Sequence, residues 1–149
     1  MQQALTALGS KVPDGVYCAN DGTAGGAYAA LKAANISPLP PLTGQDAELA
    51  AIQRIVAGEQ YMTVYKAIKP EAEAAAVLAY DLATGKSVPS DMSNGKVNNG
   101  AIDVKSDLLT PVAVTKQNVN DTVVKDGFWS KTDICTPQFA SACQAAGLS

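Results

Sequence analysis

Three short apolar runs in this chain each end in one polar side chain, and that repeated pattern limits the folds open to it more than any other feature. The runs are Val16-Tyr17-Cys18-Ala19, closed by Asn20-Asp21-Gly22; Leu42-Thr43-Gly44-Gln45, closed by Asp46; and Tyr61-Met62-Thr63-Val64-Tyr65, closed by Lys66. A helical pattern follows each of the first two. In residues 24–34, Ala27, Ala30, Leu31 and Ala34 share a face; in residues 47–57, Leu49, Ile52, Ile55 and Val56 form an apolar stripe that Gly58 ends. Two strand–helix units feeding a third strand imply an α/β fold, a parallel sheet with right-handed crossovers sandwiched by helices. In open folds of that kind the carboxyl ends of the strands face the crevice where ligands bind. Asn20, Asp46 and Lys66 are therefore the candidate binding residues. They offer a mixed donor and acceptor, a strong acceptor and a strong donor, a set that suits a polyhydroxylated small molecule better than a reaction.

Each of these residues has a plainer structural role to weigh against that one. Asn-Asp-Gly before a helix is a capping and turn signal, Asp46 serves equally well as a cap, and a lysine is ordinarily a surface residue. The agreement of three strand ends favours the binding role. Asp21 is expected to cap rather than bind, Gly25-Gly26 to permit close helix–sheet packing, Trp129 to cover a sheet edge, and Tyr61 and Tyr65 to be partly buried.

Composition excludes several classes. Histidine is absent, which removes the commonest general base and zinc ligand and the usual partner of a nucleophilic serine or cysteine. No catalytic residue, cofactor or metal site is expected. With 11 basic and 14 acidic residues and no basic block, nothing suggests nucleic acid. No apolar run approaches the roughly 20 residues of a membrane span, and Met1-Gln2-Gln3-Ala4-Leu5 lacks the basic start and apolar core of a signal peptide. Cys18 reads as a small buried hydrophobe. Cys135 and Cys143 are compatible with a disulfide, the staple of an exported protein, and equally with two free thiols on a terminal helix.

Beyond residue 66 the character changes. Pro70 is expected at the first position of an alanine-rich helix that reaches Thr84, followed by a polar, turn-rich stretch at 86–99 and short β-like runs at 101–104 and 112–115. Asn118 is expected to cap a short helix ending at Gly127, and residues 137–146 to form a last one. Three strands and some irregular β make a thin sheet with open edges, and residues 2–8 read as the last turns of a helix closed by Gly9. The chain is thus expected to be incomplete alone.

The segments Ala19-Asn20-Asp21-Gly22-Thr23-Ala24-Gly25-Gly26-Ala27, Gly44-Gln45-Asp46-Ala47-Glu48-Leu49-Ala50-Ala51-Ile52 and Tyr61-Met62-Thr63-Val64-Tyr65-Lys66, in this order and spacing, resemble the C-terminal portion of the periplasmic sugar-binding proteins of ABC transporters. Asn98-Asn99-Gly100, Leu108-Leu109-Thr110-Pro111 and residues 121–128 fit the same family; the stretch after Trp129 is not matched. The resemblance implies a two-lobed fold that closes about a hinge on a monosaccharide. D-xylose is the first expectation, with D-glucose, D-ribose or arabinose behind it. Residues 1–66 would belong to the C-terminal lobe, 67–108 to the N-terminal lobe, and 109–149 to the return and tail. Asn20, Asp46 and Lys66 fall on sugar-contacting positions. The implied partners are the missing N-terminal part and an ABC permease, and the implied location is periplasmic or extracellular, with a lipoprotein anchor as a variant. The alternative is the effector domain of a LacI-type transcription regulator.

Overall fold

Contacts divide the chain into two units, one formed by Met1–Lys66 with Val112–Ser149 and the other by Ala67–Pro111. This computed structural model describes residues 1–9 and 11–148.

The first unit is built around the three apolar runs. Val16 bridges Leu42 and Gln45 bridges Val64, both in parallel. Strand β1 (Thr63–Tyr65) then pairs antiparallel with a strand from the far end of the chain, Val112–Val114, Thr63 facing Val114. The parallel contacts are thus single bridges and the regular ladder is antiparallel. The Val16 run has a neighbour on one side only among the described residues. Tyr17 on it is 86% exposed, beside a groove of about 980 Å³ lined by Cys18, Ala27 and Ala30.

Helices α1 (Gln2–Leu8), α2 (Asp21–Ala33) and α3 (Leu49–Ala57) precede β1. Helix α2 begins at Asp21, three residues before the alanine pattern, because Asn20 and Thr23 form a reciprocal capping box. Helix α3 begins two residues later than its sequence pattern. Asp46 (φ 95°) and Ala47 (φ 51°) lie in the left-handed region, which a right-handed helix cannot include. Its stripe behaves as expected: Ala51, Ile52, Ile55 and Val56 are buried, and Gly58 ends the helix in the left-handed conformation. Leu31 and Leu42 anchor a second cluster with Cys18, Ala24 and Ala27, onto which Met1, Leu5 and Val16 pack. Each fully buried Leu, Ile or Val contributes on the order of 1.5–3 kcal/mol.

In the second unit, helix α4 (Ile68–Ala83) opens two residues before Pro70, which a first turn tolerates because the missing N–H has no helical partner there. The turn-rich stretch contains β2 (Gly95–Asn98), which forms an antiparallel hairpin with β3 (Asp103–Ser106). Asn94 closes the hairpin, accepting from the Leu108 amide (2.7 Å) and donating to the Leu108 carbonyl (3.2 Å). No residue of α4 is buried, and Ile68, Tyr80, Leu82, Val97 and Ile102 are all exposed. This unit is an apolar surface without a core of its own.

The chain then returns through β4 (Val112–Val114) into the first unit. Asn118 caps no helix. Its side chain accepts from the Thr115 amide and donates to the Ala113 carbonyl, fastening the end of β4. A π-helical turn, Asn120–Val124, follows, and Gly127 (φ 69°) breaks it. The tail forms α5 (Lys131–Ile134) and, after a 3-10 turn at Pro137–Phe139, α6 (Ala140–Ala145), both packed against α3. A disulfide joins Cys135 to Cys143.

Candidate functional site

The candidate residues sit one step beyond three neighbouring strand ends, and backbone hydrogen bonds set their order. The Asp21 amide, just after Asn20, donates to the Gln45 carbonyl, just before Asp46 (2.9 Å). The Asp46 amide donates to the Val64 carbonyl, two residues before Lys66 (2.9 Å). All three residues therefore lie at the carboxyl ends of adjacent runs. Asp46 and Lys66 meet: Lys66 Nζ stands 3.3 Å from Asp46 Oδ1, with each side chain 45% exposed. Asn20 is divided between two roles. Its Oδ1 accepts from the Thr23 backbone amide (2.9 Å), completing the helix cap, while its side-chain nitrogen Nδ2 has no acceptor among the described residues. Asp46 does not cap α3, since Glu48 holds that position.

Beneath this exposed row lies a buried one. Asp21, expected as a cap, is 1% exposed and caps nothing. Its Oδ2 accepts from Thr63 Oγ1 (2.8 Å) and from the Glu48 amide (3.0 Å), and its Oδ1 from Gln60 Nε2 (2.9 Å). Gln60 in turn accepts from Arg54 Nε, and Arg54 Nη2 donates to the Asp21 carbonyl. One carboxylate thus ties the starts of α2 and α3 to β1. Gly44 makes room for it: a Cβ there would run into Asp21 Oδ1 and come within 2.7 Å of Gln60 Nε2. Sequence reading missed this because nothing local separates an acid that caps from one that is enclosed.

The turn carrying Asp46 is strained, since a non-glycine residue at positive φ costs of order 1–3 kcal/mol and survives only where its surroundings fix it. Three hydrogen bonds fix this one. The Asp46 amide reaches Val64, the Ala47 amide donates to Thr63 Oγ1 (3.2 Å), and Trp129 Nε1 donates to the Ala47 carbonyl (2.8 Å). Trp129 therefore covers the Asp46 turn and not a sheet edge. Its neighbour Phe128 packs on Tyr65, with ring centroids 5.0 Å apart. Tyr65 is buried, 4% exposed, whereas Tyr61 is 63% exposed and not the partly buried residue its alternation suggested. Burial pushes the Tyr65 hydroxyl pKa up, helped by the nearby Asp126 carboxylate. Burial likewise raises the Cys18 thiol, with the Asp21 charge adding to it. Gly25 lies against the Arg54 guanidinium (3.5 Å from a built Cβ), whereas Gly26 has nothing within 4 Å and opens onto the groove instead of packing on the sheet. No cluster of metal-ligating side chains occurs among the described residues.

The sequence profile of the periplasmic binding protein domain family matches residues 1–87. The chain is 48% identical over 134 residues to the D-xylose-binding periplasmic protein of Escherichia coli (strain K12), covering 90% of this chain and 39% of that protein. The same identity and coverage hold for the D-xylose-binding periplasmic protein of Haemophilus influenzae. Among solved structures, the carbohydrate transporter solute binding protein from Chloroflexus aurantiacus in complex with D-glucose superimposes with a TM-score of 0.76 at 30% identity, over 89% of this chain and 39% of that one. The chain thus spans about two fifths of the length of the relatives it matches.

Proposed function

The chain belongs to the periplasmic binding protein domain family, and from that premise we propose that it is the C-terminal part of a receptor that captures a monosaccharide, D-xylose first, for an ABC importer. The observation that carries the reading is the Asp46–Lys66 pair, half exposed at adjacent strand ends and mounted on a turn that costs energy to keep. In this reading Asp46 accepts from two neighbouring sugar hydroxyls, Lys66 donates to a third, and the side-chain Nδ2 of Asn20 donates beside them. Charge-assisted hydrogen bonds of this kind are about twice as strong as neutral ones.

An N-terminal portion supplies the opposite wall, and residues 67–111 belong to its lobe, where the exposed apolar face of α4 and the hairpin finds its cover. The chain crosses the hinge at 66–67 and again at 111–112. Sugar held by both lobes favours the closed form, because only that form makes both sets of contacts, and the closed form is the one an ABC permease receives. The two D-xylose-binding relatives named above are periplasmic, and the Cys135–Cys143 disulfide accords with a periplasmic location, where such bonds persist. It weighs against a cytoplasmic LacI-type regulator.

Titration calorimetry on the full-length protein tests the reading. Asp46→Ala is expected to weaken D-xylose binding at least tenfold with little change in melting temperature, and an unchanged affinity would refute the assignment.

A further inference from the structure

Trp129 lies 82 residues beyond the turn that carries Asp46, yet its indole nitrogen makes one of the three hydrogen bonds that hold that turn. The other two come from β1 itself, through Val64 and Thr63. Phe128 sits edge-on to Trp129, with centroids 5.5 Å apart, and packs on Tyr65, the residue before Lys66. The pair Phe128-Trp129 therefore touches the immediate neighbours of both charged residues, Ala47 beside Asp46 and Tyr65 beside Lys66. The tail behind it is fastened independently. Ile134 and Leu148 are buried, the disulfide closes the loop between Cys135 and Cys143, and Gln53 Nε2 on α3 donates to the Asp133 carbonyl (3.1 Å). The anchor is fixed, and what it fixes is a backbone conformation that Asp46 and Ala47 do not favour on their own.

We propose that Trp129, backed by Phe128, is a positioning residue that holds the Asp46 turn, and with it the Asp46–Lys66 pair, in ligand-ready geometry. The proposal rests on the reading of that pair as sugar contacts. Its mechanism is preorganisation: a turn already locked costs less to order when ligand arrives.

The test is a double-mutant cycle on the full-length protein, read by D-xylose calorimetry and by amide hydrogen exchange without sugar. Trp129→Phe keeps most of the ring and removes the donor. It is expected to weaken xylose binding roughly threefold to tenfold, the span that losing one hydrogen bond allows. In an Asp46→Asn background the same change is expected to cost less than about twofold, because the residue through which it acts is already impaired. Equal losses in both backgrounds indicate a general structural role and overturn the proposal, as does an unchanged affinity. Exchange at the Asp46 and Ala47 amides is expected to speed up about tenfold in Trp129→Phe; unaltered exchange overturns the proposal whatever the sugar data show. If the wild type binds no pentose or hexose while exchange responds, the receptor reading fails and the brace on the turn stands. Should Trp129→Phe fold poorly, benzothienylalanine at position 129 removes only the N–H, with the same outcomes expected.

Discussion

Removing the buried carboxylate of Asp21 should unfasten three elements at once. Asp21 accepts three hydrogen bonds, from Thr63, Gln60 and the Glu48 amide. Bonds to a charged group are worth roughly 1.5–3 kcal/mol each, so the gross loss in Asp21→Ala is about 4.5–9 kcal/mol. Against this stands the desolvation cost of the carboxylate, several kcal/mol, which the alanine no longer incurs. Gln60 also keeps a second acceptor in the Met62 carbonyl (3.1 Å), so one donor is not stranded. The net expectation is about 2–4 kcal/mol of destabilisation, near the upper end of single substitutions. The chain has a single tryptophan, Trp129 in the first unit, so its fluorescence in urea reports on the unit that holds Asp21. With a urea slope of about 1.5 kcal/mol per molar, the midpoint should fall by roughly 1.3–2.7 M. Thr63→Val should cost less, and the double variant should fall short of the sum, because both residues share one bond. A shift for Asp21→Ala no larger than that of an exposed control such as Asp14→Ala, or strict additivity with Thr63→Val, would refute the keystone role.

Two further outcomes follow from the tail and from a tyrosine. Cys135 and Cys143 close a loop with a sequence separation of 8, for which chain entropy predicts about 2.5 kcal/mol of stabilisation. Replacing both by serine should lower the urea midpoint of the first unit accordingly, and superimposed curves would count against it. Tyr28 has its hydroxyl pKa pushed up to about 12, by burial first and then by the neighbouring Glu59 carboxylate. A folded pKa raised above the reference of 10.0 stabilises the fold fully below pH 10, and that contribution is lost as pH rises through 12. The melting temperature should therefore drop between pH 10 and 12 and drop less steeply in Tyr28→Phe; parallel descents would contradict the assignment.

What was legible in the sequence was whatever neighbouring residues determine. The stripe on α3 and its glycine stop read directly, because a helix of period 3.6 records its buried face in its own spacing. Asn20, Asp46 and Lys66 were legible as neighbours because each ends an apolar run and the α/β order places such ends side by side. The fate of Asp21 was not, since its partners lie 27, 39 and 42 residues away. The late start of α3 was hidden for a related reason: Asp46 and Ala47 take positive φ where glycine would have signalled it, and the bonds that impose it come from β1 and Trp129. Strand β2 leaves little trace in the sequence because Gly95-Lys96-Val97-Asn98 carries little β propensity and is held by its hairpin partner.

The two aspartates show how the candidate site is held ready. An ion pair as exposed as Asp46–Lys66 contributes about 0–1 kcal/mol, less than the cost of order 1–3 kcal/mol for each residue at positive φ in the turn beside it. The ion pair alone does not offset that cost, so the turn persists through the hydrogen bonds around it. Here it is clamped on three sides, and the strand ends around it are joined by the buried carboxylate of Asp21. The buried acid has every donor it needs and stays closed to solvent. The exposed acid has one side-chain partner among the described residues, Lys66, which leaves lone pairs free. Rigid backing with spare hydrogen-bonding capacity in front is what the proposed site would need for hydroxyl groups to replace water without rearranging the protein. On the proposed reading, the Asp46 turn is kept for what it presents to solvent.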